Sequence, residues 1–297
     1  MPTKRIRRPR ADVVFDIINY AVLFLVLLIV FYPLYFIVIA SFSDPNAVYT
    51  GQVLFAPKAI TFEGYQHILQ DKLIWTGYLN TFVYTFTGTL ISVCITIAGA
   101  FALSRPNLPG SGIILRLIVF TMFFSGGLIP SYMLVQNLNM DNTMWALILP
   151  VAVYPWNLIV ARAFFKSSIS EELYEAAYLD GCSDFATFFR IALPLSKAII
   201  AVMVLYYAVG LWNSYFPAML YLKDELKYPL QLVLRNMLIE NNMSSQIMVS
   251  EALINQQRIA DLMKYGVIIV SSLPVLIMYP FVEKYFAKGV MLGAVKG

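Results

Sequence analysis

The chain is 297 residues long, 60% hydrophobic and only 13% charged, with a net charge of +4. A soluble domain carries about 45–50% apolar and 25% charged residues, so this composition describes an integral membrane protein. The small positive charge calls for no nucleic-acid partner, and the two cysteines, Cys94 and Cys182, build no disulfide framework.

The head, MPTKRIRRPR, clusters Lys4, Arg5, Arg7, Arg8 and Arg10 ahead of the first apolar run at 17–42. A signal peptide has an apolar core of ~7–15 residues ending at a small-residue cleavage site. This run is longer and lacks an A-x-A end, so it is expected to be a retained anchor. The head, 1–16, then precedes a membrane domain over 17–297. A spanning helix needs about 20 mostly apolar residues. Six stretches qualify: 17–42, 76–103, 117–136, 143–161, 198–222 and 265–282. The expected fold class is therefore all-α, a polytopic bundle of six transmembrane helices. Six spans put both termini on one side, together with Arg105, Arg116, Arg162, Lys166, Arg190, Lys197, Lys284, Lys288 and Lys296. The opposite side holds Lys58, Lys72, Lys223, Lys227, Arg235, Arg258 and Lys264, spread over two long loops. The positive-inside rule makes both termini cytoplasmic.

The outer loops, 43–75 and 223–264, could receive a partner or merely cover the bundle. The second contains the amphipathic piece PLQLVLRNML. His67, the one histidine, has no metal-ligand or catalytic companions. Pro33, Pro130, Pro150, Pro155, Pro217, Pro274 and Pro280 lie in or near the spans, and a Ser125-Gly126-Gly127 break precedes Pro130. Proline frees a backbone carbonyl in a membrane helix, and repeated breaks fit helices that wrap a cavity and move. Polar residues also recur on one face. Asn80, Tyr84, Gly88 and Ser92 follow at intervals of four, and Tyr206, Gly210, Asn213 and Pro217 share a face beside Trp212. Such stripes face the bundle interior or water, or glue helices together. Asn80, Tyr84, Tyr206, Trp212 and Asn213 are the candidates for a substrate pathway; Gly88 and Ser92 suit helix contact.

Between the fourth and fifth stretches lies EELYEAAYLDGCSDFATFFRIALPLSK, 171–197, far longer than the usual connection of ~4–6 residues. Leu173, Ala176, Ala177 and Asp180 fall at helical spacing, and Gly181 is expected to stop the helix with φ > 0. A turn-rich segment then leads into Phe188, Phe189 and Ile191, with Pro194 opening the next span. The pattern predicts two short helices around a glycine, offering Ala176 and Ala177 for close approach. An amphipathic interfacial loop without a partner has the same local pattern. By the charge rule this loop is cytoplasmic.

The chemistry of common active sites is missing. There is no G-x-x-x-x-G-K-[ST], no H-E-x-x-H and no C-x-x-C, and no acid or base lies inside a span. The chain is therefore expected not to be an enzyme. A secondary carrier lacks an obvious ion site, and a membrane-anchored scaffold would need no proline breaks or polar stripes. A transporter whose motor is another chain accommodates these absences.

Glu175 to Gly181, EAA-xxx-G, followed by Ile191, Leu193 and Pro194, resembles the signature loop of permease subunits of binding-protein-dependent ABC importers. The longer form EAAYLDG…FFRIALPLS is similar to the sugar-importing subclass. The sequence departs from the pattern at Cys182, where alanine is common, and at Ala198, where proline often follows. The stretches FSGGLIPSYMLVQNLNMDNTMWALILP, VGLWNSYFPAMLYL, YPLQ and YPFVEKYFAKGVMLGAVKG extend the likeness to maltose-type permeases of the complex-oligosaccharide branch. The resemblance implies a type I permease core at about 73–286 and a coupling loop at 166–197. Within that loop Glu175, Ala176, Ala177, Asp180, Gly181, Ile191, Leu193 and Pro194 would dock on the motor. It further implies a heterodimer with a second related permease, two ATP-binding subunits that hold ATP and Mg, and an extracytoplasmic solute-binding protein. This chain would bind no cofactor or metal itself. The substrate implied is an oligosaccharide and the location a bacterial cytoplasmic membrane. A tail at 289–297 that reaches the ATPase interface is also implied.

Overall fold

The computed structural model describes residues 10–244, 258, 260–277 and 279–280. The cluster Lys4, Arg5, Arg7 and Arg8 and the tail from 281 onward, including the 289–297 stretch, lie outside the described residues. Among the described residues all regular structure is helical. Among the described residues three helices are long and apolar enough to cross a membrane: Ala11–Ser41, Lys72–Ser104 and Ala260–Ile277. Three bent pairs pass the same test together, which gives up to six spans if each pair counts as one. Length and composition thus leave the count between three and six.

The chain forms two compact units. The first combines Met1–Gln70 with Met237–Val270. Its long helix, α1 (Arg10–Ser41), exposes most of its large apolar side chains and becomes buried only near its end, at Ile39, Ala40 and Ser41. A helix apolar on every side has no polar face for water and suits lipid or another apolar helix. Pro33 sits inside α1, which continues through it. Two short helices follow, α2 (Pro45–Tyr49) and α3 (Glu63–Gln70). The Phe42 ring stacks on Tyr65 at 5.2 Å, and the Tyr65 hydroxyl donates to Ser41 Oγ at 2.9 Å. Gly64 lies so close to the Leu262 carbonyl that a Cβ there would collide with its oxygen. Tyr49 donates to Asp261 at 2.6 Å, and Arg258 pairs with Glu63 at 3.0 Å. Burial, then the bond and charge of Asp261, push the Tyr49 hydroxyl well above its ordinary pKa.

The second unit, Asp71–Asn236 with Ser271–Gly297, is organised around α4 (Lys72–Ser104). Asp71 caps this helix by accepting from the Leu73 N–H at 2.8 Å. Around it lie α5 (Ser111–Phe123), α6 (Leu128–Asn137), α7 (Trp145–Ile148) and α8 (Pro155–Ser168). The stretch expected as one span at 117–136 is broken: α5 and α6 meet at 116° across Phe124 to Gly127. Gly127 takes φ +86° there, a conformation that favours glycine. The pair Trp145–Val151 and Pro155–Ser168 bends by 49°. Pro155 stands at the first position of α8 and Pro130 in the first turn of α6, where a missing N–H costs nothing to the helix. Pro130, Pro155 and Pro217 therefore open helices instead of kinking span interiors, whereas Pro33 and Pro274 are accommodated inside α1 and the Ala260–Ile277 helix.

The break before α8 leaves the Tyr154 N–H outside any helix ladder. The hydroxyl of Tyr207, 1% exposed, accepts from it at 3.1 Å and shares a 2.6 Å hydrogen bond with Thr96 Oγ1. An unsatisfied backbone group at membrane depth costs several kcal/mol, so this side-chain partner makes the break tolerable.

Candidate functional site

The 171–195 segment forms the helix–glycine–helix expected of it, with one rearrangement. Its first helix, α9 (Glu171–Leu179), starts after Ser170 and carries Glu171 and Glu172 in the first turn, where the helix dipole favours acids. It ends at a paired turn. The Gly181 N–H bonds the Tyr178 carbonyl at 3.0 Å, and the Cys182 N–H reaches back to Ala177 at 2.9 Å. This Schellman closure requires a left-handed residue, and Gly181 has φ +78° with open space where a Cβ would stand. Ser183 then caps α10 (Asp184–Thr187), accepting from the Ala186 N–H at 3.3 Å.

The rearrangement concerns Pro194. It was expected to open the next span, but helix runs on from Asp184 to Leu195 through a wide π-type turn at Phe188–Ala192 and then α11 (Leu193–Leu195). The wide turn comes directly before the proline, which has no N–H to give the ladder. The chain bends by 81° at Ser196, and the next long helix is α12 (Lys197–Trp212). The fifth stretch, expected to continue to 222, stops at Trp212 and resumes as α13 (Phe216–Tyr221).

The segment's two faces differ. Tyr174, Ala177, Thr187 and Ala192 are buried. The Phe101 ring of α4 meets Phe188 at 5.0 Å, Phe165 of α8 at 5.8 Å and Tyr174 at 6.1 Å. Ala100, Ala161, Ile199, Met203 and Tyr207 continue the same cluster into α4, α8 and α12. Arg105 lays its guanidinium 3.8 Å over the Tyr174 ring. Burial pushes the Tyr174 hydroxyl up from its ordinary pKa, while Arg105 pulls the other way. The opposite face exposes Tyr178 at 79%, Leu179 at 86% and Phe185 at 79%, with Phe189 beside them. Glu175, Ala176, Asp180, Gly181 and Pro194 are exposed as well, while Ile191 and Leu193 are half-buried. Ala176 thus faces outward and Ala177 inward; only the first is open to a partner. The outward face is apolar at its centre and rimmed by Glu172, Glu175, Asp180 and Asp184.

The polar stripes divide too. Asn80 Nδ2 donates to the carbonyls of Leu226 (2.7 Å) and Tyr228 (3.1 Å), and the Tyr84 hydroxyl to that of Lys227 (3.0 Å). Between them, buried Thr81 accepts from the Leu230 N–H at 2.7 Å, at the start of α14 (Leu230–Ser244). Asn142, in a left-handed conformation with φ +53°, accepts from the N–H groups of Lys223 and Asp224 through its side chain. Asn80 and Tyr84 therefore hold the backbone of the 223–230 connection. Trp212 is buried, donates to the Ser271 carbonyl at 3.3 Å and borders an apolar cleft of about 530 Å³ with Phe82, Phe86 and Val204. Tyr206 and Asn213 remain exposed on one face of α12 with Gly210, around which there is open space. Sequence reading missed Tyr207, Thr96 and Arg105. Tyr207 lies next to Tyr206 but off its stripe and Thr96 stands in an apolar run, and only the third dimension pairs them.

Among the described residues no group of His, Cys, Asp or Glu is arranged to hold a metal. The chain is 38% identical over 288 residues to Protein LplC of Bacillus subtilis (strain 168), covering 97% of both chains. It is 38% identical over 283 residues to the polygalacturonan/rhamnogalacturonan transport system permease protein YtcP of the same organism, covering 95% of this chain and 98% of the relative. Among solved structures it resembles a crystal structure of a bacterial ABC transporter involved in the import of the acidic polysaccharide alginate. The match has a TM-score of 0.85 and 33% identity, and covers 95% of this chain and 99% of the other. No family model matches the chain.

Proposed function

This chain belongs to the permease subunits of carbohydrate-importing ABC transporters, and we propose that it carries an acidic oligosaccharide across the cytoplasmic membrane on a motor supplied by partner subunits. The observation that carries the reading is the two-faced 171–195 segment. Its inner face, Tyr174, Phe188 and Ala192, is keyed against Phe101 of α4 into the cluster that joins α4, α8 and α12. Its outer face leaves Tyr178, Leu179, Phe185 and Phe189 exposed. A close-packed core transmits displacement because it cannot be compressed. A cytoplasmic ATPase subunit gripping the outer face at Glu175, Ala176, Asp180 and Gly181 would move the spans through the inner one. Ala177, Ile191, Leu193 and Pro194 would keep the segment's shape.

The remaining parts follow from the family. A second related permease completes the pore, two ATP-binding subunits hold ATP and Mg and hydrolyse it, and an extracytoplasmic binding protein delivers the sugar. The core lies at about 73–286, and both termini are cytoplasmic. Tyr206 and Asn213 are the residues offered to substrate, since hydroxyl and amide groups bond sugar hydroxyls without a charge. Asn80, Tyr84 and Trp212 serve the pathway indirectly, by fixing its walls. The acidic class rests on the pectic and alginate systems to which the chain is similar.

The test is uptake by proteoliposomes holding the assembled importer, its binding protein and internal ATP. Oligogalacturonides or alginate oligomers should enter only with ATP, and an uncoupler should have no effect. Uptake of neutral oligosaccharides alone would replace the substrate class, and uptake driven by an ion gradient without ATP would overturn the motor. A cysteine at Ser183, with Cys94 and Cys182 replaced, should be labelled by an impermeant reagent from the cytoplasmic side only.

A further inference from the structure

Behind α9, on the side away from its exposed apolar face, is a cavity of about 270 Å³. It is walled by the end of α4, the start of α5, the end of α8 and the start of α9. Three cations line it, Arg105, Arg162 and Lys166, against a single acid, Glu171. Among the described residues none of the three has a carboxylate oxygen within 4.0 Å; the ion pairs there join other residues. Arg162 is held in place by its Nε, which donates to the Leu103 carbonyl at 2.8 Å, so its terminal N–H groups stay available. Ser111 adds a hydroxyl at the first turn of α5, whose N-cap, Gly110, supplies no side-chain cap. Tyr174 also lines the cavity. It is 6% exposed, and its hydroxyl lies beside the Arg105 guanidinium.

Three cations without a carboxylate partner, the fork of Arg162 held at its Nε and the hydroxyls of Ser111 and Tyr174 together make a site for a tetrahedral anion. Concentrating three positive charges in one pocket is unfavourable unless an anion joins them. The surroundings say which. α5 rises from the cavity's edge with no buried residue, exposing Ile113, Leu117, Phe120 and Phe123 along its length. A phosphate seated in the cavity would have its attached acyl chains running against these side chains. Basic pockets between spans on the cytoplasmic side are a known setting for anionic headgroups.

We propose that this cavity binds the phosphate of an anionic phospholipid through Arg105, Arg162, Lys166 and the Tyr174 hydroxyl. Because Arg105 also rests on the Tyr174 ring of α9, an occupied site stiffens the helix that faces the motor.

The importer is purified from phosphatidylcholine vesicles with or without phosphatidylglycerol and examined by native mass spectrometry, which needs no transport activity. Wild type should retain phosphatidylglycerol. Lys166→Gln, at an exposed position with no structural bond, should weaken retention roughly fivefold, and Arg162→Gln with Lys166→Gln by about the square of that. Arg116→Gln, a charge change on α5 outside the cavity, should retain the lipid. ATP hydrolysis should follow the same order, rising with phosphatidylglycerol most in wild type and Arg116→Gln, less in Lys166→Gln and least in the double variant. Equal retention by all variants overturns the site. Inorganic phosphate added to phosphatidylcholine vesicles should not substitute for the lipid; if it does, and the lipid has no effect, the ligand is a soluble anion and the lipid assignment falls.

Discussion

At the N-terminal end of α4, Asn80, Thr81 and Tyr84 hold the 223–230 connection by hydrogen bonds to its backbone; at the C-terminal end, Phe101 holds the 171–195 segment by ring packing. Thr81 and Phe101 are twenty residues apart, about 30 Å along one helix. The difference teaches what each end is built to do. Hydrogen bonds fix a loop in one position, because each orphaned donor or acceptor costs energy as soon as it moves. Apolar packing fixes volume and contact but allows the packed elements to shift together. The polar end is therefore suited to a fixed surface, and the apolar end to a transmitter whose outer face a second protein can grip.

The largest effect should come from placing a charge in that outer face. Phe185→Asp, in the middle of the exposed apolar patch, should stop the ATPase subunits from co-purifying while the permease still inserts. Normal co-purification would mean that the motor binds elsewhere. Next comes Gly181→Val. A left-handed conformation costs a residue with a Cβ roughly 1–2 kcal/mol, and the open space around Gly181 means conformation alone is at stake. This variant should lose most substrate-stimulated ATP hydrolysis, and Gly181→Asn should keep most of it. If both behave alike, the turn is not what matters.

At the other end of α4 the effects should be on stability. Thr81→Val orphans the buried Leu230 N–H, which costs about 1–3 kcal/mol. The melting temperature of the purified complex should fall while the ratio of transport to ATP hydrolysis is kept. Asn80→Ala should do less, about 0.5–1.5 kcal/mol, because water can reach the exposed Leu226 carbonyl. A selective loss of uptake by Asn80→Ala, with unchanged melting, would instead restore it to the sugar pathway.

The two ends were not equally legible in the sequence. Glu175 to Gly181 announces a helix and its stop, and Gly181 adopts the positive φ that the pattern requires. Helical spacing placed Ala176 and Ala177 together as points of approach. Three-residue periodicity puts Ala177 with Tyr174 on the buried face, and Ala176 is left outside. The role of Pro194 was misjudged because a π-type turn can absorb a proline that would otherwise end a helix. At the polar end, the Asn80–Tyr84 stripe was visible, but its partner was not. A polar stripe looks the same whether it meets a ligand or, as here, carbonyls more than 140 residues away in the same chain. The breaks around Gly127 and Pro155 were readable as punctuation. That Tyr207 would satisfy the Tyr154 N–H was not, since that depends on how two spans pack.

The most direct measurement is cross-linking from two adjacent positions of α9. Ala176→Cys and Ala177→Cys are made separately in a chain without Cys94 and Cys182, assembled with the ATPase subunits and treated with a short bifunctional thiol reagent. The ATPase subunit carries cysteines along its permease-facing cleft. The outward docking face predicts that Ala176→Cys joins the ATPase and Ala177→Cys, turned into the α4–α8–α12 core, does not. A link from Ala177→Cys, or none from Ala176→Cys in a fully assembled complex, would contradict it.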